Sequence, residues 1–138
     1  MWTTKEGLES WWGPEGFSAV VRKLDVRLGG EYEIALTAEA AEQLEGVREL
    51  GVATTTIARG TYTEVHRPRR LAFSTIADFI PGVDPYDVRT LVEFHPVGRS
   101  VRLVVTIEAM HDEQWTQLSR MGEESQLDRL AEVLRASG

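Results

Sequence analysis

Leu8-Glu9-Ser10-Trp11-Trp12-Gly13-Pro14 closes one element, and Arg27-Leu28-Gly29-Gly30-Glu31-Tyr32 turns the chain back soon afterwards. Between them the hydrophobic period changes from helical to alternating. Residues 3–12 predict a short helix, stopped where glycine ends it at little cost and proline cannot continue it. From Ser18 the chain reads as a half-buried strand, with Leu24, Val26 and Leu28 alternating against Lys23, Asp25 and Arg27. Gly29-Gly30 signals a hairpin turn, and Tyr32, Ile34 and Leu36 carry the alternation onto a partner strand.

The same pattern extends outward. Ala40, Leu44 and Val47 at helical spacing, closed by Gly51, predict a short inserted helix over 38–50. Strand character resumes near Thr54 and runs to Val65. His66-Arg67-Pro68-Arg69-Arg70 reads as a turn, and Leu71, Phe73 and Thr75 alternate after it. The Pro-Gly and Asp-Pro pairs between Asp78 and Pro85 mark a loop. Two further strands follow, one through Val88, Thr90, Val92 and Phe94, the other through Val101, Leu103, Val105 and Ile107. The turn between them falls at Pro96 to Gly98. The chain closes in helix, with stripes at Trp115, Leu118 and Met121 and at Leu127, Leu130, Ala131 and Leu134. Gly122-Glu123-Glu124 interrupts the stripe and predicts a bend or two helices. Helix, six antiparallel strands and helix make an α+β chain with its helices on one sheet face.

At 138 residues the sequence suits a single domain over 1–138, long enough to bury roughly two thirds of its unfolded surface. The formal charge is 15 − 22 = −7, without the basic surplus that counterion release on a nucleic acid requires. No basic amphipathic segment or bilayer-length apolar run suggests a membrane partner. The chain has no cysteine, which removes disulfides, thiolate metal sites and a cysteine nucleophile, and fits the cytoplasm. No leader is read ahead of the first helix.

Four motifs carry a resemblance. Leu8 to Pro14, Arg27 to Tyr32, Gly60-Thr61-Tyr62-Thr63-Glu64-Val65 and Arg69-Arg70-Leu71-Ala72-Phe73 resemble, in order, the SRPBCC superfamily. More narrowly they resemble its branch related to the activator of heat-shock chaperone ATPase, and Gln126-Leu127-Asp128-Arg129-Leu130 fits too. The likeness spans nearly the whole chain. It implies a helix-grip fold, a curved antiparallel sheet wrapped around a long C-terminal helix. It leaves activity open, since the superfamily hosts lipid transfer, polyketide cyclisation and co-chaperone work on one scaffold. Two departures accompany it. Relatives open with a strand and half a helix before the Trp-Trp motif, so the family's first strand is expected to be missing here. They also often carry tryptophan after the glycine of the last helix, where this chain has Glu123.

The candidate ligand-binding residues are Trp12, Tyr32, Tyr62, Phe73, Phe79, Phe94, Trp115 and Met121. Aromatic residues at alternating strand positions, opposite one long helix, either line an apolar cavity or form solid core. Tyr32 and Tyr62 stand out because a buried hydroxyl needs a partner. The loop from Asp78 to Val83 has an apolar tip that suits a lid, or a contact between copies. His66, His95 and His111 match no metal spacing, and no partner that would orient a histidine base is visible. Arg67, Arg69 and Arg70 read as a solvated turn rather than a phosphate site. Glu64, Glu93 and Glu108 read as outward-facing. No catalytic residue, metal or cofactor is assigned.

The expectation is therefore a binder of an apolar or aromatic small molecule held between sheet and C-terminal helix. The alternatives are a polyketide cyclase or dehydratase, which needs a buried titratable pair, and a co-chaperone-like interaction module, which needs a large exposed patch. With the strand near Val20 to Leu28 and the final strand from Val101 to Ala109 left as unpaired edges, a two-fold homodimer is also expected, joined edge to edge or through the apolar face near Trp2.

Overall fold

The computed structural model describes residues 2–78 and 80–137. Its elements run α1 (Lys5–Trp11), β1 (Phe17–Leu24), β2 (Glu31–Ala38), α2 (Ala41–Leu50), β3 (Thr55–His66), β4 (Arg70–Ala77), β5 (Tyr86–Val97), β6 (Ser100–Ile107) and α3 (Glu113–Ser137). The strands form one antiparallel meander in the order β1-β2-β3-β4-β5-β6. The sheet curves around α3 in the helix-grip arrangement.

Thr4 caps α1, its hydroxyl accepting the Gly7 N–H at 3.1 Å. The helix ends before Gly13, whose φ of +88° a side chain rarely adopts. It buries Leu8 and Trp11 in the largest cluster of the core, with Tyr32, Ile34, Tyr62, Leu71, Phe73, Val92 and Leu130. A second cluster gathers Ala77, Ile80 and Val88 with Val83, Tyr86, Ile107, Met110 and Trp115 packed on it.

Register then sets which residues share the inner face. Tyr32 pairs with Gly60, Gly60 with Thr75 and Thr75 with Val88. The next row runs Tyr62, Phe73, Thr90 and Ile107. Gly60 must be glycine, because a Cβ there would overlap the Ser74 carbonyl and crowd the Tyr32 hydroxyl.

Two sequence expectations are corrected. β1 ends at Leu24 rather than running to Leu28, which is 74% exposed. Residues 25–30 instead fold back on themselves and on β3, with Arg27 N–H donating to the Asp25 carbonyl and Gly29 N–H to that of Tyr62. The last helix does not break at Gly122: α3 is continuous through 25 residues. A glycine inside a helix costs about 1 kcal/mol, which the contacts of Gln126 and Arg129 and the burial of Leu130 just beyond it offset. Glu124 turns outward to Arg120, while Glu123 turns inward.

Candidate functional site

A cavity of about 300 Å³ lies between the inner sheet face and α3. Its floor comes from the register rows above: Phe73, Thr75 and Ala77 on β4, Val88 and Thr90 on β5, Ile107 on β6. Its roof is the α3 face bearing Trp115, Leu118, Ser119, Glu123 and Gln126, each three or four residues from another of the set and so on one side of a helix. Trp2 and Trp12 close one end and Met110 the other side. Apart from Thr75, Thr90, Ser119, Glu123 and Gln126, these described lining residues are apolar.

Gln126 is 6% exposed and connects the roof to the wall. Its side-chain oxygen accepts the Gly13 N–H at 2.6 Å, and its amide nitrogen donates to a Glu123 carboxylate oxygen at 3.4 Å. Glu123 thus sits near the Trp12-Gly13 turn. Burial pushes its carboxyl up to about 7, because the charged form loses hydration there. Among the described residues no ion pair compensates it, and it is the one titratable side chain lining the cavity.

Three of the sequence candidates, Trp12, Phe73 and Trp115, line this cavity. Tyr32 and Tyr62 lie beside it, packed with Phe73 into an aromatic layer with ring centroids 5.6–6.0 Å apart. The gap left at that layer is only about 10 Å³, so the two tyrosines are core. The Tyr32 hydroxyl shares a hydrogen bond with that of Thr75, which satisfies it. Burial raises both phenols, Tyr62 to about 12. Phe94 instead meets Trp2 edge-on at 6.1 Å, next to a separate recess at the His66 to Arg70 turn. Met121 is 63% exposed and outside the cavity, because helical phase turns it away from the face that bears Ser119 and Gln126. Phe79 lies outside the described residues.

The remaining polar candidates pair with neighbouring groups away from the cavity. Glu64 meets His66 at 3.3 Å and Arg70 at 3.0 Å, Glu93 faces His95, and Asp78 meets Arg59 at 3.2 Å. Glu108 accepts the Arg89 N–H at 2.7 Å. His111 bonds the Tyr86 hydroxyl at 2.8 Å. Among the described residues no group of three metal-binding side chains forms.

Sequence reading missed Trp2, Thr75, Thr90, Ser119, Glu123 and Gln126. The helical phase held the signal for half of them: Ser119, Glu123 and Gln126 stand four, eight and eleven residues after Trp115, on the same side of α3.

The profile of the family described as Activator of Hsp90 ATPase homolog 1-like protein matches residues 1–135. Among solved structures, a protein from Chromobacterium violaceum is 23% identical, with a TM-score of 0.77, over 95% of this chain and 82% of that one. The AHSA1 protein from Silicibacter pomeroyi is 21% identical with a TM-score of 0.73, over 99% and 88% of the two chains. An AHSA1-like protein from Aeromonas hydrophila gives 18% and 0.71, over 99% and 81%. At these identities the structures share the fold alone. No curated protein matches the sequence. Among the described residues no helix is long and apolar enough to cross a membrane.

Proposed function

We propose that this chain, which belongs to the Activator of Hsp90 ATPase homolog 1-like family, binds an apolar or aromatic small molecule between its sheet and α3. The observation that carries the reading is the cavity itself: about 300 Å³, with Trp2, Trp12, Phe73 and Trp115 around it and few polar groups. That volume stands at the small end of ligand pockets, roughly 300–1,000 Å³. Trp12, Phe73 and Trp115 are the sequence-derived contacts retained. Burial of ligand surface supplies the affinity, and the polar groups fix orientation. A cyclase-type reaction calls for an oriented acid–base pair, whereas Glu123 stands alone among the described lining residues.

Native mass spectrometry of protein purified from its own host tests the reading. A bound small molecule is expected, lost when Ser119→Trp fills the cavity from the α3 side. A ligand retained by a folded Ser119→Trp protein, or none in the native one, contradicts it. The cytoplasm is the compartment we propose, on the strength of the cysteine-free composition.

We also propose a two-fold dimer through β6. Both β1 and β6 end the sheet, but α1 packs on β1, and Glu9 accepts the Val21 N–H at 2.8 Å. Among the described residues β6 pairs with β5 alone, and the exposed Val97 and Val101 flank its start. An edge of this kind templates pairing with a second copy. Light scattering should report a dimer; a monomer at high concentration refutes it.

A further inference from the structure

Resting on the small-molecule reading above, we propose that the cavity selects a ligand with a cationic amine, its ammonium set against Glu123 at the end lined by Trp2 and Trp12. The cavity is not uniform along its length. Gln126 holds the Gly13 N–H at 2.6 Å and reaches Glu123 at 3.4 Å, so the carboxyl belongs to the end closed by Trp2 and Trp12. The other end, around Ala77, Val88, Ile107 and Trp115, belongs to the second apolar cluster. A ligand with one polar head and one apolar body therefore enters in a single orientation.

The head must match Glu123. A buried carboxyl without a cation costs free energy whenever it ionises, and burial alone has raised this one to about 7. A ligand carboxylate would add a second negative charge in a chain already at −7. A ligand hydroxyl offers a neutral hydrogen bond. An ammonium offers a charge-assisted one, roughly twice as strong. The tryptophans lining that end add to the case, since indole is the best of the aromatic partners for a cation. Glu123 then ionises on binding, and the ammonium supplies the counter-charge that the described lining residues do not.

The test compares probes of one skeleton: naphthylethylamine, naphthylethanol and naphthylacetate, titrated by calorimetry and tryptophan fluorescence. The amine is expected to bind about tenfold tighter than the alcohol, and the acid weakest. In Glu123→Gln the preference of amine over alcohol should vanish. In Glu124→Gln, whose carboxylate faces Arg120 outside the cavity, it should persist. Alcohol binding as tight as amine overturns this inference and leaves the apolar-ligand reading standing. So does an amine preference that survives in Glu123→Gln. If none of the three probes binds, the small-molecule reading falls and the inference with it. The wild-type comparison needs no variant, so a Glu123→Gln protein that failed to fold would still leave the proposal open to refutation.

Discussion

The side-chain oxygen of Gln126 accepts the Gly13 N–H at 2.6 Å, joining residues 113 positions apart. Arg129, nearly one turn on, donates through one nitrogen to the carbonyls of Gly13 and Pro14 at 3.0 Å and of Phe17 at 3.1 Å. Two side chains of α3 thus serve the backbone of the turn whose glycine and proline stop α1. That turn is what holds the roof over the cavity. Gln126→Leu should leave the buried Gly13 N–H without its acceptor and cost about 1–3 kcal/mol, read as a lower urea midpoint with an unchanged slope.

Trp11 and Met121 separate core from surface. Trp11 is fully buried and meets Trp2 edge-on with ring centroids 4.4 Å apart, whereas Met121 is 63% exposed. Trp11→Ala should cost about 3–5 kcal/mol, which threatens folding altogether. Met121→Ala should stay within about 0.5 kcal/mol. Thermal melts of the two variants check the contrast, and an equal loss in both would contradict the placement of Met121.

The fold was legible because it rests on short periods. Trp11-Trp12-Gly13-Pro14, Gly29-Gly30 and Pro96 to Gly98 announce ends and turns, and alternation between them marks the strands. The site was less legible because it depends on distance between elements. Tyr32 and Tyr62 alternate just as Phe73 and Thr75 do, and only the sheet's curvature decides which row is filled and which is left open. Glu123 sits in a Gly-Glu-Glu run that reads as a break in the helical stripe. Helical phase turns it inward, while Glu124 beside it goes to Arg120.

The Tyr32 hydroxyl and the Thr75 hydroxyl satisfy each other between the aromatic layer and the cavity floor. Tyr32→Phe and Thr75→Val should each destabilise, by about 0.5–1.5 kcal/mol. The double variant should cost less than their sum, since neither hydroxyl is then left alone. Strict additivity in a chemical-denaturation cycle would show that the two are not coupled.

Glu123 gives stability a pH dependence of definite sign. Its carboxyl titrates at about 7 when folded, against 4.5 for the unperturbed group. The folded state therefore holds the proton over that window, and this group's contribution falls as pH rises from about 4.5 through about 7. Glu123→Gln removes the loss. The variant should gain stability over wild type on the order of 1–3 kcal/mol at pH 8 and little at pH 4. Melting both proteins across this range checks it, and a constant difference would contradict the buried placement of the carboxyl.

The most direct test of the central claim is a proton–nitrogen NMR titration of the protein with naphthylethanol, a neutral probe that does not depend on Glu123. The account predicts saturable shifts centred on the amides of Thr75, Thr90, Leu118 and Ser119, absent from the outer strand face at Arg89 and Arg102. Shifts that never saturate, or that gather on that outer face and leave α3 untouched, would contradict a binding cavity between sheet and helix.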